Sequence, residues 1–388
     1  MGVTAGLAIW GYLAQQQAWK NAELAEQQEA IAVKQRNIAL DAIKKRTYKW
    51  VDKLVKLPRT QEIVTEILTD NTVLLDQIYA LNSDVKEAQR EKASSLIRVG
   101  ESWLKLGNTE KALQACQQSL EIFQKLASDD PTNSQAQLDL SVSLNKIGDV
   151  QLQLGNTEKA LQTYQQSLEI RQKLATNDPT NFEAQRDLSV SLNYIGNVQL
   201  ELGNTEKALQ AYQQYFEISQ KLASDDPTNS QAQQDLAFSY ERIGDVQLRL
   251  GDTEAALQAY QQEFEILNKQ AQDDPQSAAA KRALSVSLNK IGNVQLKLGN
   301  TEKALQAYQQ SLEVAQKLAT DDPTNFQAQR DLYVSYYKLG TIQKEPAIAR
   351  QYYQQALAIA EKLAAQNKAN QQAQNELKVL RSLVSEQD

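Results

Sequence analysis

The chain has 388 residues and a formal net charge of −7, with no histidine and a single cysteine. This composition excludes histidine-based acid–base catalysis, a Cys–His catalytic pair, Cys/His zinc sites and intramolecular disulfides. The acidic balance argues against broad binding to nucleic-acid phosphates. We therefore expect no enzyme activity, no cofactor or metal, and no nucleic-acid partner.

Residues 1–19 form an uncharged, mostly apolar N-terminal segment up to Lys20. The run "VTAGLAIWGYLA" would span only about 18 Å as a helix, which is short of the ~30 Å hydrocarbon core of a bilayer. Three interpretations stay open: the end of a truncated membrane anchor, an amphipathic helix, or a buried helix.

Residues 20–57 are predicted to be a basic helical linker, because residues 34–59 carry nine lysines and arginines against two aspartates. If the preceding run enters a bilayer, this charge places the rest of the chain in the cytoplasm and favours contact of residues 1–59 with anionic lipid. The alternative is a solvated helix. Leu24, Ile31 and Ile38 lie seven apart, the spacing of a short coiled-coil seam. Residues 58–81 are predicted to form an N-terminal helical cap that packs on the first repeat.

The segment 82–366 repeats itself every 48 residues. Phrases such as "LGNTEKALQTYQQSLEI" and "LGNTEKALQAYQQSLEV" return almost letter for letter, and glycine and proline keep the same step. The repeated positions are Gly107, Gly155, Gly203, Gly251 and Gly299, and Pro131, Pro179, Pro227, Pro275 and Pro323. A strict period of this length predicts stacked repeats instead of a single globular core.

Each repeat is predicted to be a helical hairpin. In residues 178–225, Asp178 and Pro179 indicate a helix start, and the apolar residues after them recur at three- and four-residue steps. Gly203 ends that helix, and Asn204 or Thr205 caps the second one. Six hairpins begin near Asn82, Asp130, Asp178, Asp226, Asp274 and Asp322. Residues 367–388 are predicted to be a C-terminal capping helix.

Leu192, Ile195, Gly196, Ala208 and Tyr212, with the same pattern 48 residues earlier, resemble the tetratricopeptide repeat family. The long unit is most similar to the kinesin-light-chain type and to repeat tails of bacterial signalling and receptor-like proteins. The resemblance implies an all-α, right-handed superhelical solenoid with a concave groove for protein partners. The chain departs from the motif where Cys116 replaces the second-helix tyrosine, and we expect a buried thiol there.

In this family, the second, fifth, ninth and twelfth positions of each first helix face the groove. The candidates at position five are Asn145, Asn193, Asn289 and Glu241, and those at position nine are Asp149, Asn197, Asp245 and Asn293. A side-chain amide offers both a donor and an acceptor to a peptide backbone. The resemblance implies peptide binding by the three position-five asparagines, while the alternative is that these amides are solvated or bond neighbouring helices.

These patterns together predict a non-catalytic protein–protein interaction scaffold with a protein or peptide partner. Two other functions stay open. One is a sensor or regulatory tail of a larger membrane-anchored signalling enzyme, and the other is a self-assembling array that forms homo-oligomers. The expected location is the cytoplasm, with an N-terminal membrane tether as one option.

Overall fold

A computed structural model of the chain describes residues 2–45, 49, 51–54, 60–80, 86–366 and 371–385. These residues contain helices and turns but no strand, so the all-α prediction is confirmed. The helices are α1 (Gly2–Lys45), α2 (Asp52–Leu54), α3 (Gln61–Ala80), α4 (Lys86–Lys105), α5 (Thr109–Asp129), α6 (Ser134–Gln153), α7 (Thr157–Asn177), α8 (Phe182–Glu201), α9 (Thr205–Asp225), α10 (Ser230–Leu250), α11 (Thr253–Asp273), α12 (Ala278–Lys297), α13 (Thr301–Asp321), α14 (Phe326–Ile342), α15 (Pro346–Gln366) and α16 (Gln371–Ser385).

The six pairs from α4/α5 to α14/α15 correspond to the six predicted hairpins. The chain divides into two compact units, residues 1–174 and 175–388. Asn82, where the first hairpin was predicted to begin, lies outside the described residues, as do residues 367–370 and 386–388 of the predicted capping helix and the side chains of residues 1–14.

The predicted N-terminal segment is continuous with the first part of the predicted basic linker, because α1 runs as one helix across residues 19 and 20 to Lys45, and residues 46–48, 50 and 55–57 of the linker lie outside the described residues. Within the described part of the chain, no helix combines the length and apolar character needed to cross a membrane. Helix α3 buries Val64 and Leu68 in a cluster with Trp103 of α4. At the other end, α16 buries Leu377 and Leu380 against α15.

The first helices begin later than predicted. In the third hairpin the N-cap is Asn181, whose Oδ1 accepts a hydrogen bond from the backbone N–H of Ala184 at 3.1 Å. Asp178 instead accepts from the Thr180 hydroxyl at 3.0 Å, and its carbonyl accepts from the Asn181 N–H at 3.2 Å. The prediction of a helix start at Asp178 and Pro179 is therefore wrong, because these residues form the turn that precedes the asparagine cap.

The glycine turns between the two helices of a hairpin agree with the prediction. Gly203 has φ of 77°, in the left-handed region, and its N–H donates to the Leu200 carbonyl at 3.0 Å. The N–H of Asn204 donates to the Gln199 carbonyl at 2.8 Å, which closes the end of α8 in a Schellman-like pattern. Asn204 precedes α9 as predicted, but its side chain donates to Gln199 Oε1 at 2.9 Å instead of capping the helix.

A tyrosine packed on a glycine joins the two helices of the second to sixth hairpins. A Cβ atom at Gly196 would lie 2.4 Å from Cε1 of Tyr212, so only glycine allows the ring to lie against α8. The fully buried tyrosines are Tyr164, Tyr212, Tyr260 and Tyr308. Cys116 occupies this position in the first hairpin, opposite Gly100, and burial raises the pKa of its thiol to about 12. The predicted buried thiol is confirmed.

Arginine–aspartate pairs join some consecutive first helices. In the second unit, Arg186 Nε lies 2.6 Å from Asp235 Oδ2, between α8 and α10, and Arg282 Nε lies 2.6 Å from Asp331 Oδ2, between α12 and α14. Arg90 and Asp139 form the equivalent pair in the first unit. Between α10 and α12 the corresponding positions hold Gln234 and Ala283, so this interface has no such pair.

Candidate functional site

The predicted site residues lie on one face of each first helix. We call the residues at positions two, five and nine of a first helix its inner strip, since a spacing of i, i+3 and i+7 places three side chains along one side of a helix. The inner strips are Val142, Asn145 and Asp149 on α6; Val190, Asn193 and Asn197 on α8; Phe238, Glu241 and Asp245 on α10; and Val286, Asn289 and Asn293 on α12.

Position nine of each strip is held by the buried tyrosine of the same hairpin. The Tyr212 hydroxyl donates to Asn197 Oδ1 at 2.7 Å, and the Tyr260 hydroxyl donates to Asp245 Oδ1 at 2.6 Å. The same bond joins Tyr164 to Asp149 and Tyr308 to Asn293. These side chains are therefore fixed in orientation, and the constant spacing of 15 residues in the sequence is the signal of this pairing.

Position five carries amides with an unused acceptor. Asn289 Nδ2 donates to the Ser311 hydroxyl at 2.8 Å, which ties α12 to α13. Within the described residues, Oδ1 has no hydrogen-bond partner in Asn145, Asn193 or Asn289, and this atom is buried in all three. A buried polar atom left unpaired costs about 1–3 kcal/mol, so these acceptors are sites where a donor would be favourable.

Lysines at position six, which the sequence analysis does not place in the site, bond to the inner strip of the preceding first helix in the second unit. Lys290 Nζ lies 2.7 Å from Glu241 Oε1 and 2.8 Å from Asp245 Oδ1. Burial alone would lower the pKa of Lys290, but these two carboxylates outweigh it and raise the pKa. Lys338 Nζ donates to the neutral Asn293 at 2.7 Å, and burial lowers its pKa.

A second residue missed by sequence reasoning is Glu263 on α11, which lies behind the α10 strip and is 4% exposed. Burial, and then the negative charge of Glu241, raise its pKa to about 8, while Lys290 acts in the opposite direction. Among the described residues, no group donates a hydrogen bond to its Oε2 atom. The other full-length hairpins carry Ser119, Ser167, Tyr215 and Ser311 at this position, so an alignment of the 48-residue repeats with one another would have distinguished Glu263.

No group of three or more Asp, Glu or Cys side chains is placed to hold a metal ion in the described part of the chain. A surface cavity of about 580 Å³ lies between the start of α13 and the turn from α14 to α15. Its lining includes Thr301 and Ile342 but no predicted site residue.

Comparison with protein families matches three tetratricopeptide repeat models to the chain. One covers residues 91–173, a second covers residues 192–218, and a third covers residues 239–266 and 286–318. All of these segments lie within the predicted repeat region. A search of curated protein sequences gives no significant match.

One solved structure supports the same fold, and two others are reported with it. The apo form of RapI has a TM-score of 0.54 at 13% identity, over 92% of this chain and 87% of that protein. BtubC (BKLC) from P. vanneervenii gives 0.49 at 18% identity, over 66% of this chain and 90% of its own length. A putative kinesin light chain of nearly identical repeats from Podospora anserina gives 0.45 at 11% identity, over 59% and 97%. Only the RapI score exceeds 0.5, and at this identity it supports the fold alone.

The 48-residue period, the stacking of helix pairs and the matches of the family models agree. Repeats of this kind indicate a protein-interaction scaffold. The chain is a tetratricopeptide repeat protein.

Proposed function

We propose that the chain is a non-catalytic scaffold whose first helices, within each compact unit by itself, bind extended segments of a partner protein on their inner strips. The observation that carries the proposal is the asparagine that recurs at position five with a buried, unpaired Oδ1, in Asn145, Asn193 and Asn289. Because this Oδ1 has almost no accessible surface, the asparagine side chain must rotate outward before a backbone N–H of a bound peptide can donate to it. Such a bond forms with any peptide sequence, since every non-proline residue offers an N–H.

The competing explanation is that the amides only join the helices of each hairpin, as the bond from Asn289 to Ser311 illustrates. The two explanations differ in what removal of the amide does. If the amides only hold helices together, alanine variants lose stability but the remaining folded protein binds as before. If they bind peptide, affinity falls in protein that is fully folded.

The experiment compares Asn145→Ala, Asn193→Ala and Asn289→Ala, combined in one protein, with a matched set of amide removals on the second helices. Gln210, Gln258 and Gln306 are exposed there and lie off the inner strips. Peptides of about ten residues are selected from a random displayed library, and their affinity is measured by fluorescence anisotropy. We expect the asparagine variant to bind about tenfold or more weakly, which is ~1.4 kcal/mol, and the glutamine variant to bind unchanged. Equal affinity in both variants would contradict the proposal.

The N-terminal helix has a separate surface for which we propose contact with anionic membranes. Trp19, Leu24, Ile31 and Ile38 are all more than half exposed on α1, and the cluster of basic residues in the linker begins at Lys34, between Ile31 and Ile38. Apolar side chains beside positive charge favour the surface of an anionic bilayer. We expect the chain to sediment with phosphatidylserine-containing vesicles and not with neutral ones. Serine substitutions at Leu24, Ile31 and Ile38 should abolish this, whereas concentration-dependent self-association without vesicle binding would favour a coiled coil instead.

A further inference from the structure

The inner strip of α10 differs from its neighbours at every position. Where α8 and α12 carry valine, asparagine and asparagine, α10 carries Phe238, Glu241 and Asp245. Phe238 is 44% exposed, so its ring is available for contact. The strip therefore presents an aromatic ring beside two carboxylates, in place of a small apolar residue and two amides.

The residue behind the strip changes together with it. In the fifth hairpin the partners are Asn289 and the Ser311 hydroxyl, 2.8 Å apart. In the fourth hairpin the same two positions hold Glu241 and Glu263, so two carboxyl groups replace an amide and a hydroxyl. Glu263 is 96% buried, and its Oε2 has no donor among the described residues. The inner strip of α10 carries the carboxyl groups of Glu241 and Asp245. Glu263 adds a third carboxyl group behind this strip, and its Oε2 accepts no hydrogen bond from the described residues.

The charges around Glu263 are close to balanced while its carboxyl is protonated. Glu241 and Asp245 of α10 are negative, Lys290 of α12 bonds to both, and Arg242 lies 4.0 Å from Asp245 Oδ2. Tyr260, which lies on α11 with Glu263, contributes a neutral hydroxyl. The Ser287 hydroxyl of α12 is a second neutral group, and it acts to lower the pKa of Glu263. Glu241 Oε1 is occupied by Lys290, but Oε2 has no partner in the described part of the chain. If a further positive group binds and Glu263 releases its proton, the new negative charge of Glu263 balances the added positive charge.

We propose that the inner strip of α10 is a specificity subsite for a partner segment with an apolar residue two positions from a lysine or arginine. The apolar side chain lies on Phe238, and the basic group binds Glu241 Oε2 beside Asp245. Residues three apart on a helix have Cβ atoms about 5–6 Å apart. Side chains two apart on an extended peptide point to the same side at about 6.6–7 Å, so the two spacings match where the bound segment runs along the axis of α10. This inference rests on the proposed function, since it assigns the chemistry of the segment that the scaffold binds.

Binding of the basic group should be coupled to a proton. The pKa of Glu263 is raised to about 8, so its carboxyl is protonated at neutral pH. A cation at Glu241 favours the ionised form of Glu263, and binding therefore releases a proton. Affinity for a basic peptide should rise as pH increases toward 8, by up to about tenfold per pH unit. A peptide with neutral glutamine at that place should show no such rise.

The test uses two labelled synthetic peptides, Ser-Ala-Leu-Ser-Arg-Ala-Ser and the same sequence with Gln for Arg. It uses variants that restore what neighbouring hairpins carry, Glu241→Asn and Glu263→Ser, so that loss of folding is not expected. We expect the wild-type chain to bind the arginine peptide about tenfold or more tightly than the glutamine peptide. The Glu241→Asn variant should lose this preference. The Glu263→Ser variant should lose its pH dependence between pH 6 and 8.

The outcomes separate the subsite from the general scaffold function. Equal binding of both peptides by the wild-type chain, or no binding of either at about 1 mM, overturns the subsite. If the wild-type chain binds both peptides equally and the combined Asn145, Asn193 and Asn289 variant binds both more weakly, the scaffold function stands. If the arginine preference is present and those asparagine changes have no effect, the subsite stands and the role of the amides fails.

Discussion

Two interfaces between consecutive first helices in the second unit use different chemistry. Helices α8 and α10 are joined by Arg186 and Asp235 at 2.6 Å. Helices α10 and α12 lack both residues and are joined instead by Lys290, which bonds to Glu241 and Asp245. The Arg186–Asp235 pair lies outside the inner strips. The carboxylates that Lys290 bonds belong to the inner strip of α10, and the buried carboxyl of Glu263 lies behind them. Near-identical repeats therefore do not make equivalent interfaces.

The largest expected effect comes from Glu263, which makes the stability of the region around α10 and α12 depend on pH. Its pKa is about 8 in the folded chain and 4.5 as its ordinary value, so between these pH values the folded state holds a proton that the unfolded state has lost. The contribution of Glu263 to the free energy of unfolding is therefore fully present below about pH 4.5 and is lost as pH rises through about 8. Because the chain has no histidine, few other groups titrate in this window.

Glu263→Ser should remove this dependence. Between pH 5 and 8 the stability of the variant should gain about 3 kcal/mol relative to the wild-type chain. Thermal melting in a pH series checks the difference, and hydrogen exchange of α10, α11 and α12 locates it. If the melting temperatures of the two proteins change with pH in the same way, the pKa of Glu263 is not raised in the folded chain.

Lys290→Met is the next effect in size. It leaves Glu241 and Asp245 without their shared cation in a half-buried place, so we expect a loss of about 2–3 kcal/mol. The matched control is Lys338→Met, because Lys338 makes a contact of the same length to the neutral Asn293. That variant should lose about 1 kcal/mol, the value of one hydrogen bond. Urea unfolding combined with local hydrogen exchange measures both, and equal losses would contradict the difference between the interfaces.

The sequence predicts the fold well because the fold depends on local rules that repeat. The glycine at residue 203, the tyrosine at residue 212 and the 48-residue period specify a turn, a core contact and stacking, and the structure contains all three. Helix starts were misplaced because Asp178 and Asn181 are both good capping residues, and only the geometry of the turn distinguishes them.

The candidate site was harder to predict because it depends on contacts between hairpins. Position-five and position-nine residues can be placed from helix periodicity, but the partner of each depends on how far consecutive first helices are shifted. Lys290 reaches residues 45 and 49 positions earlier, a relation that no helical period contains. The buried, raised-pKa state of Glu263 likewise requires the packing of three helices. A comparison of the repeats with one another could have indicated both.

The difference between the two interfaces can also be reduced by transplanting the arginine pair. Gln234→Arg with Ala283→Asp gives α10 and α12 the residues that join α8 to α10. The equivalent pairs are partly exposed, so we expect a gain of about 0.5–1 kcal/mol in the free energy of unfolding. The reverse exchange, Arg186→Gln with Asp235→Ala, should lose at least as much. A double-mutant cycle on the transplanted pair measures the coupling, and a coupling of zero would show that the helices are spaced differently.

Phe238→Val should have the smallest effect on stability and a large one on recognition. The ring is 44% exposed and valine is the residue at this position in α8 and α12, so the free energy of unfolding should change by no more than about 0.5 kcal/mol. The contact area for an apolar side chain on the inner strip of α10 is lost, and the leucine of the arginine peptide should contribute less to affinity. Peptides with leucine and with alanine at that place would then bind the variant about equally, while the wild-type chain prefers leucine. A leucine preference that survives Phe238→Val would place the apolar contact on another residue, because the remaining side chains of the strip are carboxylates.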